Sequence, residues 1–211
     1  RFDLRGNAET LAGLSVRRIA EDPDGTLWFC SDTWPDATIP GGITSLHAGV
    51  WHRYGRAEGV DPAHILNYFR TSDGRRYALC NGPGIFQFEG DRWVRAIFDS
   101  AFIWSMAETA NGLTLAVSEA NAYMLDRSGW RKTKRASPSF APLLCGTRSG
   151  EIFMGGRTAG GLTIRRWNGV TFEPASPLIP SPALMFQVLR EAPDGSIWGG
   201  CENLLIRWDR S

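Results

Sequence analysis

Glu21-Asp22-Pro23-Asp24-Gly25-Thr26-Leu27-Trp28 carries a unit that recurs along the chain. It joins a turn dipeptide, Asp24-Gly25, to a β-prone run with a large apolar residue three places after the glycine. The pattern returns as Gly74-Arg75-Arg76-Tyr77, Gly112-Leu113-Thr114-Leu115, Gly150-Glu151-Ile152-Phe153 and Gly195-Ser196-Ile197-Trp198. Glycine reaches positive φ without a steric penalty, so each copy marks a tight hairpin between two short strands. The glycines are 49, 38, 38 and 45 residues apart, and the step from Gly195 through the termini to Gly25 is 41. Five copies therefore fill a circle with nothing left over.

A second turn in each repeat leads into an outer aromatic: Gly49-Val50-Trp51, Gly90-Asp91-Arg92-Trp93, Ser128-Gly129-Trp130 and Gly169-Val170-Thr171-Phe172. The fifth copy is split, with Arg210-Ser211 at one end of the chain and Arg1-Phe2 at the other. Phe2, Trp51 and Phe172 each stand 23 residues before the next turn glycine, so the divided copy keeps register. A period of about 40 residues with several short strands per repeat is the signature of a β-propeller. The expected fold is all-β: a single five-bladed propeller over residues 1–211, with four-stranded antiparallel blades at about 14–55, 62–96, 101–135, 139–174 and 184–211. Residues 1–5 complete the last blade and close the ring. Blade one is expected to run through strands at 16–21, 26–31, 42–46 and 51–54.

Composition narrows the function classes. A net charge of +1 supplies no general field toward nucleic acid or an anionic membrane, so neither is an expected partner. No apolar run approaches the roughly 18 residues of a membrane span, and no segment reads as a signal peptide. The nine tryptophans and 24 glycines fall at fixed places in the period, which makes them architecture first.

The phrases Glu21 to Trp28, with the preceding Val16 and Ile19, and Glu191-Ala192-Pro193-Asp194-Gly195-Ser196-Ile197-Trp198 resemble repeats of bacterial two-component regulator propellers. The same phrase is similar to repeats of streptogramin B lyases. The first resemblance implies an extracytoplasmic sensing domain, periplasmic or extracellular, with a downstream signalling domain as a further partner. The second implies metal-assisted cleavage of a cyclic peptide ester, with a divalent cation as cofactor.

The cysteines read as buried thiols and not as ligands. Cys80 and Cys201 share a small-residue slot with Ser31, Ser118 and Gly156, three places after the large residue of the second strand. No C-x-x-C spacing offers a zinc site, so neither metal nor cofactor is expected outside the lyase reading. His47 and His52 flank a hairpin turn and should be exposed tips. Arg127, Arg131, Lys132, Lys134 and Arg135 follow an outer strand, where cations guard an edge.

The long connections of the repeat, at 3–15, 32–41, 55–63 and 174–182, all belong to the face opposite the tight turns. Rigid blades presenting longer loops at one rim are suited to hold a binding site. Four places after the large residue of each second strand stand Asp32, Asn81, Glu119, Arg157 and Glu202. Chemistry that differs around a repeat suits an asymmetric ligand. Eight places before each turn glycine the inner strands hold Arg17, Leu66, Trp104, Pro142 and Gln187. The leading expectation is a non-catalytic, sensor-type or lectin-like module binding a small molecule, sugar or peptide at the mouth on the loop face. Trp34 and Trp104 would stack on the ligand, and Asp32, Asn81, Glu119, Arg157, Glu202, Arg17 and Gln187 would supply polar contacts. The alternatives are a lyase or hydrolase with His64 as its base, beside Asp32 or Glu202 on a cation, and a scaffold for protein contacts.

Overall fold

The computed structural model describes residues 11, 15–32, 41–60, 65–80, 84–99, 102–133, 140–180, 185–202 and 204–210. The chain divides into two compact units, Arg1–Ile103 and Trp104–Ser211. All regular structure in the described residues is antiparallel β.

The first unit holds two four-stranded sheets. One runs in the order β1 (Ser15–Glu21), β2 (Leu27–Asp32), β3 (Gly42–His47), β4 (Val50–Tyr54), within a residue or so of the expected bounds. The other is β5 (Ile65–Arg70), β6 (Arg76–Cys80), β7 (Ile85–Glu89), β8 (Arg92–Ile97). The second unit begins within β9 (Ile103–Glu108), which pairs onward through β10 (Thr114–Ser118) and β11 (Ala122–Asp126) to β12 (Gly129–Lys132). Next come β13 (Phe140–Gly146), β14 (Ile152–Thr158), β15 (Gly161–Trp167) and β16 (Phe172–Pro174). The last sheet has three described strands, β17 (Phe186–Glu191), β18 (Ile197–Cys201) and β19 (Leu205–Trp208). Its expected fourth strand, residues 1–5, lies outside the described residues.

The five turns named in the sequence are built alike. In each, the glycine N–H donates to the carbonyl three residues back, at 2.9 to 3.1 Å, from Gly25 to Asp22 through Gly195 to Ala192. That earlier residue's N–H donates in turn to the carbonyl just after the glycine, as from Asp22 to Thr26 at 2.9 Å and from Thr147 to Glu151 at 2.9 Å. The five glycines have φ between +79° and +92°, the left-handed region that glycine enters without strain. Asp24 and Asp194 brace their turns by accepting from the N–H of Thr26 and Ser196, at 3.0 and 2.9 Å.

The inner strands carry a second repeated device. Pairing slips between Val16 and Arg18, between Ile65 and Asn67, between Phe140 and Leu143, and between Phe186 and Val188. The extra residue of each bulge is Arg17, Leu66, the Ala141-Pro142 segment and Gln187. These are the inner-strand positions counted eight before the glycine, and a bulge re-aims a side chain that would otherwise follow the pleat.

Neighbouring sheets within a unit are joined by large side chains. Trp28, Tyr54, Tyr68, Phe86 and Trp93 form the buried core of the first unit with Ile43 and Ile65. In the second unit the Phe186 ring fills the space over Gly155 and Gly199, where an added Cβ would meet it at 3.0 and 2.5 Å. The small-residue slot is buried at Ser31, Cys80, Ser118, Gly156 and Cys201. All four cysteines are buried and free. Burial pushes the Cys30 thiol far above its ordinary range.

Candidate ligand-binding site at the loop ends of the sheets

Each strand pair has a turn end, where the Asp-Gly type hairpins lie, and a loop end, where second strands finish and inner strands start. The described residues among those singled out from the sequence lie at the loop ends. Trp34, Asn81 and His64 fall outside the described residues.

In the first unit, Arg17 and Asp32 meet. The Arg17 Nε donates to Asp32 Oδ2 at 3.0 Å, and a terminal guanidinium nitrogen approaches the same oxygen at 2.9 Å. The bulge makes this possible, since Ser15 is paired with Asp32 and the extra residue at 17 turns its side chain back toward the strand end. The Asp32 side chain is 8% exposed and that of Arg17 is 44% exposed. The carboxylate is thus engaged, and the outer side of the guanidinium faces solvent.

In the second unit, Trp104 of β9 and Phe140 of β13 are in ring contact, with centroids 6.0 Å apart and planes at 58°. Phe140 is paired directly with Arg157 of β14. Phe140 is 47% exposed, a large apolar surface left open beside an indole and a guanidinium, both half-buried. Glu119 follows the end of β10 and is half-buried. Gln187, in its bulge, and Glu202, just past β18, are exposed. Burial, and then the negative charge of Glu202, push the Cys201 thiol above its ordinary range.

Phe140 was missed by counting from the glycine, because the bulge at Ala141-Pro142 displaces the exposed ring two places along the chain. The positive φ of Ala141, +46°, marks that displacement. Among the described residues no three histidines, cysteines or carboxylates gather as a metal-binding group.

At the turn end two grooves open between neighbouring sheets. One, of about 520 Å³, lies between the two sheets of the first unit. The other, of about 390 Å³, lies between the last two sheets of the second. They form beneath the turns, between large side chains that meet across the sheets.

Antiparallel four-stranded sheets with a uniform inner turn place the chain in the propeller class of all-β repeat proteins. Residues 10–33 match the two component regulator propeller family. No curated protein sequence matches the chain. Among solved structures it is similar to a catalytically inactive variant of virginiamycin B lyase from Staphylococcus aureus, crystallised with quinupristin. That likeness has a TM-score of 0.68 at 15% identity and covers 93% of this chain and 65% of the lyase. It is equally similar to the extracellular domain of BT4673 from B. thetaiotaomicron, described as a hybrid two component system, with a TM-score of 0.68 at 16% identity. There the match covers 90% of this chain and 26% of the other. The extracellular domain of BT3049 from the same organism matches at TM-score 0.65 and 13% identity, over 98% of this chain and 30% of its own. The chain thus spans just under two thirds of the lyase and about a quarter to a third of the two extracellular domains.

Proposed function

We propose that the chain is a sensor-type propeller module that binds a small ligand at the loop ends of its sheets, without catalysis. The observation that carries the reading is the Trp104–Phe140–Arg157 grouping. An exposed aromatic edge beside a guanidinium suits a ligand with a flat or apolar face and an acidic or hydroxyl-rich side, such as an acidic sugar or a small carboxylate. Gln187 and Glu202 provide further hydrogen-bonding groups on the neighbouring sheet. The likeness to extracellular domains of two component systems supports a periplasmic or extracellular setting. The same reading takes the five sheets as the blades of one ring, with residues 1–5 as the outer strand of the last.

The test is a thermal-shift screen of the 211-residue chain against neutral sugars, uronic acids and small carboxylates, with and without chelator. Stabilisation by an anionic ligand that survives chelator, and is lost in Arg157→Ala and Trp104→Ala, supports the reading. Stabilisation by a divalent metal that chelator abolishes would instead favour the lyase-like alternative. No shift with any compound would remove the loop-end site.

A further inference from the structure

Two turns of this chain carry the same dipeptide, Asn111-Gly112 and Asn168-Gly169, and the fold treats them differently. In Asn-Gly the backbone nitrogen of glycine can attack the side-chain amide before it, because no Cβ shields that nitrogen and the glycine backbone turns freely. All four residues are exposed, so access of water does not separate the two sites. What separates them is the hydrogen bonding of the attacking nitrogen, the attacked carbonyl and the leaving nitrogen.

At Asn111 the attacking nitrogen is engaged. The Gly112 N–H donates to the Thr109 carbonyl at 2.9 Å, as in the other inner turns, and the Asn111 Oδ1 accepts from the Thr109 hydroxyl. At Asn168 the Gly169 N–H has no hydrogen-bond partner among the described residues. That turn is closed instead by the Asn168 N–H, which donates to the Thr171 carbonyl at 3.1 Å. The side-chain oxygen of Asn168 accepts from two backbone N–H groups, those of Val170 and Thr171, each at 2.9 Å. Its Nδ2 donates to Glu173 Oε1 at 2.6 Å.

We propose that Asn168 is a self-modifying site, converted by its own turn to aspartate and isoaspartate. The Gly169 nitrogen bonds to Asn168 Cγ, and the negative charge that develops on Oδ1 falls on the Val170 and Thr171 N–H groups, placed as an oxyanion hole is. The Glu173 carboxylate takes the proton of the attacking nitrogen and passes it to Nδ2, which leaves as ammonia when the Cγ–Nδ2 bond breaks. Water then opens the cyclic imide. Attack on the side-chain carbonyl gives aspartate, and attack on the backbone carbonyl gives isoaspartate. Nothing is oxidised or reduced: a side-chain amide and water become a carboxylate and ammonium. The product puts a second carboxylate beside Glu173, where Asn168 had offered a donor, at the edge of the turn-end groove that Glu173 lines. The site is independent of the loop-end reading, being at the opposite end of the sheets.

The experiment incubates the whole chain in mildly alkaline buffer, folded and in urea, and follows both asparagines by peptide mapping with mass spectrometry. Chromatographic retention distinguishes aspartate from isoaspartate. In the folded chain Asn168 is expected to convert several-fold faster than Asn111. In urea, where only the shared dipeptide remains, the two should convert alike. Glu173→Gln keeps an acceptor for Nδ2 but cannot carry the proton, so it should slow Asn168 several-fold and leave Asn111 unchanged. The proposal is overturned if Asn111 keeps pace with Asn168 in the folded chain, if Asn168 stays intact, if the difference persists in urea, or if Glu173→Gln converts as wild type does.

Discussion

Phe153 and Trp208 meet edge to face across neighbouring sheets, centroids 5.2 Å apart and planes at 72°, and the same contact is made by Trp28 and Phe88 at 5.4 Å and 70°. The pair is one sheet's contribution to the next, repeated in register. Phe153 is 1% exposed and carries Arg210 over its face. Phe153→Ala should cost about 3–5 kcal/mol, the usual toll of emptying a buried aromatic site. A double-mutant cycle with Trp208→Ala, followed by denaturant unfolding, should give a coupling of about 0.5–1.5 kcal/mol.

Asp22 ties the sheets of the first unit from inside. Its buried carboxylate accepts from Trp28 Nε1 at 3.1 Å, from the Tyr68 hydroxyl at 2.8 Å and from Arg76 Nε at 2.6 Å. Burial, and then the hydrogen bond to Asp22, push the Tyr68 phenol far above its ordinary range. Asp22→Ala would strand three donors, one of them charged, and should cost about 3–5 kcal/mol. Urea unfolding of Asp22→Ala beside Tyr68→Phe separates the loss of the whole knot from the loss of one hydrogen bond, expected near ~1 kcal/mol.

The second unit has its own knot, at Glu191. Burial works to raise its carboxyl, but the Arg148 N–H at 3.0 Å, the Arg148 guanidinium and the charge of Arg210 outweigh it and hold it below the usual 4.5. A depressed carboxylate contributes stability that is complete above its unfolded value and is lost as pH falls through the folded one. Thermal melts should therefore show wild type losing its advantage over Glu191→Gln as pH drops below about 4.5. An unchanged difference between the two proteins down to about pH 3 would show that the knot contributes nothing.

Two glycines answer to different constraints. Gly25 has φ +79° with open space around its missing Cβ, so Gly25→Ala should cost only the left-handed strain, about 1–2 kcal/mol, and Gly25→Asn less. Gly146 of β13 lies against β9, where a Cβ would stand 2.2 Å from the Glu108 carbonyl oxygen. Backbone cannot yield as a side chain can, so Gly146→Ala should destabilise more than Gly25→Ala in chemical denaturation.

Residues 1–5 were assigned to the outer edge of the last sheet by register alone. If they pair there, deleting them uncovers β19 and lowers the unfolding midpoint well beyond what trimming a loose terminus does. A truncation that melts with the full chain would discard that closure.

Much of this protein is written locally. A turn such as Asp22 to Thr26 is closed by hydrogen bonds over three and four residues, so Asp-Gly and the glycine's positive φ announce it without reference to the rest of the chain. Strand positions, the buried small-residue slot and the exposed tips at His47 and His52 follow from the same short-range rules and from alternation. What the period could not contain is the register of one strand, and one sheet, against another. The bulge that folds Arg17 onto Asp32, the meeting of Trp104 with Phe140 beside Arg157, and the gathering of Trp28, Tyr68 and Arg76 on Asp22 all depend on side chains brought together from far apart in the chain. Those contacts are selected by packing against neighbours, whose cost and gain appear only once the sheets are in place. Strands and turns are legible in the repeat because they are closed over a few residues; which side chains face one another across sheets is set by packing between segments far apart in the chain.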